Sequence, residues 1–141
     1  MDFSMIGPAI VLGLGCLGSA IGCTIGGMAV HGVITHVDEG HGKFIGLSAM
    51  PSSQSIYALI MMIVMQNALR SGKISSLSGV GIGLFIGLAL MGGAIYQGKC
   101  AATAIQATAK QPSVFGKAAA APAIVESFSL FAFVFGLSLV L

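Results

Sequence analysis

Charge is the property that this sequence most conspicuously lacks. Of its 141 residues, six are Lys or Arg and four are Asp or Glu, so that only 7% are charged. Soluble domains are about one quarter charged. Hydrophobic residues make up 56% of the chain, a composition typical of a protein that lies in a membrane. A net charge of +2 provides no basic surface, which argues against nucleic acid as a partner.

Residues that ligate metals or form disulfides are also few. The three cysteines are Cys16, Cys23 and Cys100. They are odd in number and have no Cys-x-x-Cys spacing, so the sequence predicts neither a disulfide framework nor a zinc site. The three histidines cluster around the first polar break: His31, His36 and His41. No cysteine or carboxylate stands at a convincing ligand spacing beside them, so a metal site there is the minor alternative.

Apolar stretches fill almost the whole chain. A helical span needs about 20 apolar residues, and four such stretches are separated by short polar breaks. Lipid offers no partners for backbone N–H and C=O groups, so each stretch is expected to be a helix. The first stretch lacks a basic flank and a cleavage site, so we expect it to be a retained helix. The predicted helices cover residues 4–37, 44–69, 77–110 and 115–141.

The two halves of the chain repeat one design. At a single constant offset, five identities relate them: Gly22 with Gly93, Gly27 with Gly98, Phe44 with Phe115, Pro51 with Pro122 and Leu59 with Leu130. The chain is therefore predicted to be an all-α membrane protein of two fused helical hairpins. The first covers residues 1–70 and the second residues 71–141.

Small and bulky residues are segregated between the helices. Glycines spaced four residues apart stand in the first helix of each predicted hairpin, at Gly18, Gly22 and Gly26 and at Gly79, Gly83 and Gly87. Such spacing lets helix backbones approach closely. The other two helices carry bulky residues: Met61, Met62, Phe128, Phe131, Phe133 and Phe135. This asymmetry suits the inner and outer walls of a concentric homo-oligomeric ring, and a compact four-helix bundle explains it equally well.

Glu126 is the only acidic residue deep in a predicted span. A charge at the centre of a bilayer costs several kcal/mol, so such a residue is a functional candidate by default. The alternative is a neutral glutamic acid that hydrogen-bonds between helices.

Polar residues of three helices fall at the depth of Glu126. Gln97 and Glu126 are equally far from the centre of the second hairpin's loop, roughly 20 Å along their helices at 1.5 Å per residue. Gln54 lies at nearly the same depth in the first hairpin, with Ser53 beside it. Tyr57 follows at neighbour spacing on the same helix face. These side chains are therefore expected to converge on one level.

Two prolines stand near this level. Pro51 has no N–H group, so a backbone carbonyl near Leu47 or Met50 is expected to be freed towards the site. Pro122 has the same effect near Ala118. The alternative for both prolines is a kink without function.

The predicted set is rich in oxygen and carries one negative charge. It includes no thiolate and no imidazole at that depth, and hard cations prefer such oxygen ligands. One carboxylate with neutral oxygens suits a monovalent ion, Na⁺ or H⁺, because a divalent ion would leave net positive charge in lipid.

Three segments resemble the membrane proteolipid of V-type and A-type rotary ATPases, in its duplicated-hairpin form. They are Pro51 to Gln54 with Tyr57, Gln97 to Lys99 continuing to Gln106, and Pro122 to Glu126. The run Lys110, Gln111 and Pro112 is also similar to the polar loop of the F-type proteolipid. The resemblance covers essentially the whole chain.

The resemblance implies a rotor-ring subunit. Copies of the chain would form a ring beside a stator subunit that carries an essential arginine, and a central-stalk subunit would bind the polar loops. Each Glu126 would load an ion from one half-channel and discharge it into another. Rotation would couple ion flow to ATP synthesis or hydrolysis in a separate soluble head, so this chain would itself catalyse nothing and need no cofactor. The polar loops would be cytoplasmic, in a prokaryotic plasma membrane.

The resemblance also implies a ligand set. In Na⁺-binding members of the family, the ligands are similar to Ser53, Gln54, Gln97, Glu126 and the backbone carbonyl of Met50. A tyrosine matching Tyr57 assists them. Retention of these polar partners favours Na⁺ over H⁺, with a proton on Glu126 as the alternative.

Two other classes of protein compete with this interpretation. A small four-helix multidrug or cation–proton exchanger also has one essential membrane glutamate. We would expect that glutamate in the first helix beside an aromatic cage, whereas Glu126 is in the fourth and the sequence has no tryptophan. A purely structural or pore-forming proteolipid would not need the polar residues at one level.

Overall fold

A computed structural model of the chain describes residues 3–141, and every regular element within them is helical. The α-helices are α1 (Ile6–Ile34), α2 (His41–Ala49), α3 (Ser53–Arg70), α4 (Ser76–Lys110) and α5 (Phe115–Val140). Short 3₁₀ turns at Met50–Ser52 and Pro112–Val114 precede α3 and α5. Four stretches are long and apolar enough to cross a membrane: Ile6–Ile34, His41–Arg70, Ser76–Lys110 and Pro112–Val140. The predicted all-α fold with four spans is confirmed.

The second span is interrupted, which the prediction of one helix over 44–69 missed. It begins at His41, and the 3₁₀ turn at Met50–Ser52 separates α2 from α3. Pro51 has no N–H to donate to the carbonyl of Leu47 four residues earlier. That carbonyl instead accepts from the N–H of Met50, which tightens the helix locally into a 3₁₀ turn.

Glycine allows α1 and α4 to pack backbone against backbone. A Cβ atom added at Gly22 would overlap the carbonyl of Ala94, and one at Gly98 would overlap the backbone of Gly22. Gly7 and Gly83 meet in the same way nearer the other end of the two helices. The small residues therefore bring the first helices of the two hairpins together, as their spacing predicts.

The bulkier helices lie outside this pair, with α3 against α1 and α5 against α4. Phe128, Phe131 and Phe135 are exposed, as expected for an outer wall. The expectation that Met61 also faces outwards is wrong, because it is fully buried. A Cβ added at Gly136 would come within 2.7 Å of Met61 Cε, so this side chain fills the space between α3 and α5.

Candidate ion-binding site

Glu126 lies on α5 at the level where α3, α4 and α5 meet, and it is partly buried. The Tyr57 hydroxyl donates to its Oε1 over 3.0 Å. The Gln97 side-chain nitrogen donates to its Oε2 over 3.3 Å. Each carboxylate oxygen thus has one donor, and both donors are uncharged. Neutral donors therefore hold the carboxylate in place, and neither of them adds a positive charge to it.

A second glutamine, Gln54 on α3, extends this network. The side-chain nitrogen of Gln54 donates to Oε1 of Gln97 over 2.9 Å. Both glutamines are fully buried, so their amide groups depend on each other and on neighbouring side chains for hydrogen bonds. The bonds run in one direction, from Gln54 through Gln97 to Glu126, and they link three helices.

Ser53 joins this network beside Gln54. Its hydroxyl lies 3.1 Å from the carbonyl oxygen of Met50 and 3.3 Å from Oε1 of Gln54. A free carbonyl was expected near Leu47 or Met50. Instead, the Met50 carbonyl accepts from the backbone N–H of Ser53, and the Leu47 carbonyl accepts from that of Met50. The 3₁₀ turn explains this, because it replaces the lost α-helical bonds with tighter ones. The Met50 carbonyl oxygen, the Ser53 hydroxyl and Gln54 Oε1 still form one cluster.

The second proline leaves its helix unbroken. Pro122 lies inside α5, which continues from Phe115 to Val140, and it is fully buried. It cannot donate to the carbonyl of Ala118, four residues earlier, so that carbonyl lacks its usual helical partner. Ala118 packs in the apolar cluster on the loop side of the site.

Tyr57 is held in place by its ring. The ring is stacked on Phe133 of α5, with centroids 5.4 Å apart and planes 24° apart. Aromatic pairs in this arrangement add to the stability of the contact beyond their buried area. The stacking fixes the hydroxyl over Glu126 and ties α3 to α5.

Ser129 belongs to the network and was not predicted from the sequence. It lies three residues after Glu126 on α5, is 1% exposed, and accepts from the Gln54 side-chain nitrogen over 3.3 Å. The spacing of three residues puts it on the same helix face as Glu126. That spacing is a signal which the sequence contained.

The histidines and cysteines lie away from this network. Within residues 3–141, no group of three His, Cys, Asp or Glu side chains comes close enough together to hold a metal. The ring of His41 lies 2.6 Å from the carbonyl oxygen of Val37, an interaction local to the loop. The cysteines Cys16, Cys23 and Cys100 are free thiols.

The structure thus brings together all the residues that the sequence singled out around Glu126. The site offers carboxylate, amide, hydroxyl and backbone carbonyl oxygens and no nitrogen or sulfur ligand from His or Cys. Such a donor set suits a hard cation. One carboxylate among neutral groups matches a single positive charge.

The comparisons with known proteins agree on one family. The profile of the family of the C subunit of ATP synthase matches residues 6–65 and again residues 80–139. The chain is 32% identical over 131 residues to the A-type ATP synthase subunit K of Methanocaldococcus jannaschii, a match that covers 92% of this chain and 59% of that relative. It is 29% identical over 143 residues to the V-type sodium ATPase subunit K of Enterococcus hirae, covering 100% of this chain and 92% of that protein.

These matches cover nearly the whole chain. The two profile matches fall on the two halves that the internal identities relate, and the four apolar helices agree with an integral multi-pass membrane protein. The chain spans less than two thirds of the methanogen relative but nearly all of the enterococcal one. The resemblance predicted from the sequence is confirmed, and the chain belongs to the ATP synthase C-subunit family, whose domain it carries in two tandem copies.

Proposed function

We propose that this chain is the rotor-ring subunit of a V-type or A-type rotary ATPase and that Glu126 carries one cation per subunit. The observation that carries the proposal is the pair of neutral donors on the carboxylate, the Tyr57 hydroxyl at 3.0 Å and the Gln97 amide at 3.3 Å. These donors are uncharged, so they hold the carboxylate in place without forming an ion pair with it. The carboxylate can therefore bind an ion reversibly, as a carrier must.

We propose Na⁺ as the transported ion, with H⁺ as the alternative. Proton transport needs only the carboxylate, whereas a metal ion needs further oxygen ligands around it. Ser53, Gln54 and Gln97 provide such oxygens, and the carbonyl of Met50 lies 3.1 Å from the Ser53 hydroxyl. One similar protein is named as a sodium ATPase subunit, which favours the same choice.

Binding of Na⁺ would rearrange hydrogen atoms more than heavy atoms. A carbonyl oxygen has two lone pairs, so Gln97 Oε1 can accept from Gln54 and still face a cation. The Ser53 hydroxyl donates to one acceptor at a time and keeps lone pairs for the ion. The ion would therefore use a network that is already assembled, which limits the entropic cost of binding.

The ring itself and its other partners follow from the family. We propose that copies of the chain assemble with the glycine-rich α1 and α4 inside and with α3 and α5 outside. A stator subunit with an essential arginine would release the ion, and a central-stalk subunit would bind the polar loops. ATP would be made or hydrolysed by a separate soluble head. The loops would face the cytoplasm of a prokaryotic cell.

The experiment that tests this proposal is carboxyl labelling of intact membranes with a hydrophobic carbodiimide, read by mass spectrometry. The reagent attacks a protonated acid in an apolar setting. We expect Glu126 to be labelled and Na⁺ to suppress the labelling at fixed pH. Labelling that responds to pH but not to Na⁺ would make protons the coupling ion. An unlabelled Glu126 would overturn its role as ion carrier.

The native mass of the extracted protein distinguishes the proposed rotor ring from the rival class of protein. A large detergent-resistant homo-oligomer is expected of a rotor ring, whereas a dimer would indicate the small exchanger.

A further inference from the structure

Gln54 has both of its amide hydrogens engaged, and one of them depends on Ser129. The side-chain nitrogen of Gln54 lies 2.9 Å from Gln97 Oε1 and 3.3 Å from Ser129 Oγ. A glutamine amide has two N–H donors, so these two bonds use both. Gln54 is fully buried, and no water is needed to satisfy its nitrogen.

These two bonds determine which way the Gln54 amide faces. With the nitrogen held by Gln97 and Ser129, Oε1 is left on the side of Ser53, 3.3 Å from its hydroxyl. The Glu126 carboxylate favours the same orientation of the Gln54 amide from its own end of the network. It accepts from the side-chain nitrogen of Gln97, which turns Gln97 Oε1 towards Gln54. The amide oxygen of Gln54 thus joins the oxygen cluster that faces the cation.

We infer that Ser129 is a positioning residue of the ion site: its hydroxyl holds the side-chain nitrogen of Gln54 so that the amide oxygen is presented to the cation. This inference rests on the proposed Na⁺ function. Ser129, on α5, need not touch the ion, because it acts through the side-chain nitrogen of Gln54.

Gly93 on α4 makes the space that this hydroxyl occupies. A Cβ atom at position 93 would overlap Ser129 Oγ and lie 3.3 Å from Ser129 Cβ. The lack of a side chain at Gly93 therefore leaves the room that the Ser129 hydroxyl needs. An alanine at position 93 opposite an alanine at position 129 would put a methyl group into part of that volume, with no group that can accept a hydrogen bond.

The test uses ring-containing membranes of the wild type and of each variant. It compares the Na⁺ concentrations at which half of Glu126 is protected from carbodiimide. We expect Ser129→Ala to raise it roughly three- to tenfold, because a buried N–H donor loses its partner. Ser127→Ala is the matched control, since that hydroxyl bonds only its own helix, at the carbonyl of Ile124 2.7 Å away. It should behave as wild type.

A double variant separates the hydrogen bond from packing. Ser129→Ala with Gly93→Ala fills the space of the lost hydroxyl without a hydrogen-bond acceptor, and it should not restore wild-type protection. Recovery of wild-type protection in this double variant would mean that Ser129 only fills volume, which overturns the inference. Should Ser129→Ala fail to assemble, Ser129→Cys keeps the size with a weaker hydrogen-bonding group and is measured in its place.

The remaining outcomes are also decisive. Protection of Ser129→Ala at the wild-type Na⁺ concentration would overturn the positioning role and leave the proposed function standing. A wild-type ring that labels but shows no Na⁺ protection would overturn the proposed ion, and the positioning role with it.

Discussion

The side-chain nitrogen of Gln97 donates to Oε2 of Glu126 over 3.3 Å and so joins the two helices of the second hairpin in the middle of the spans. Because Gln97 also accepts from Gln54 over 2.9 Å, the carboxylate is connected to the first hairpin by neutral groups alone. Replacing single members of this network tests what each contributes.

Glu126→Gln should abolish cation transport while leaving the ring assembled. The amide keeps the size of the side chain and can still bond Tyr57, but it carries no charge with which to hold an ion. ATP-driven uptake of radioactive sodium into membrane vesicles should fall to background. Glu39→Gln, at an exposed position in the first loop, makes the same chemical change and should transport normally. Wild-type transport by the Glu126→Gln ring would contradict the mechanism.

Gln97→Leu should weaken Na⁺ binding far more than it weakens assembly. The change removes a donor to a charged group, and such bonds contribute about 1.5–3 kcal/mol, which corresponds to roughly ten- to hundredfold in affinity. Na⁺ protection of Glu126 from carbodiimide measures the affinity, and native mass measures the ring. Gln106→Leu, on an exposed face of the same helix, is the control. An unchanged half-protection concentration in Gln97→Leu would remove Gln97 from the ligand set.

Tyr57→Phe removes one hydroxyl group and keeps the aromatic ring. The ring of the phenylalanine can keep its stacking on Phe133, so α3 and α5 should stay in register. The bond of 3.0 Å to Glu126 is lost, and we expect Na⁺ affinity to fall by roughly three- to tenfold. Isothermal titration of the purified ring with Na⁺ checks this. Tyr96→Phe alters an exposed tyrosine beside Lys99 and should bind as wild type. Equal affinities for the two variants would count against a role for Tyr57.

The depth of the site could be predicted from the sequence, because an α-helix rises by a fixed amount per residue. Equal distances from the hairpin loop were enough to predict that Gln97 and Glu126 would meet. The single carboxylate deep in an apolar span marked Glu126 as the functional candidate, since an uncompensated charge there is costly.

The finer geometry could not be predicted in the same way. Which side of a helix faces a neighbour depends on how the helices rotate and cross, and packing across the whole molecule sets this. Met61 was therefore expected outside and lies in the core, and Ser129 was overlooked although it shares a face with Glu126. Pro51 correctly indicated a disturbed helix, but the 3₁₀ turn engages the Met50 carbonyl that was expected to be free.

Gly22→Ala tests whether the close approach of α1 and α4 maintains the ring. The added Cβ would overlap the carbonyl of Ala94 and lie 2.7 Å from the Pro51 side chain, so both neighbours would have to move. Pro51 is the middle residue of the 3₁₀ turn at the site, and overpacking of this kind costs about 1–3 kcal/mol. We expect a lower temperature of ring dissociation and less assembled ring on native gels. Gly32→Ala adds the same methyl group to α1 where no neighbouring atom of residues 3–141 lies within 4 Å, so it should leave the ring unchanged. Rings of equal thermal stability in the two variants would show that the contact at Gly22 is not required, and α1 and α4 would then be held together by other contacts.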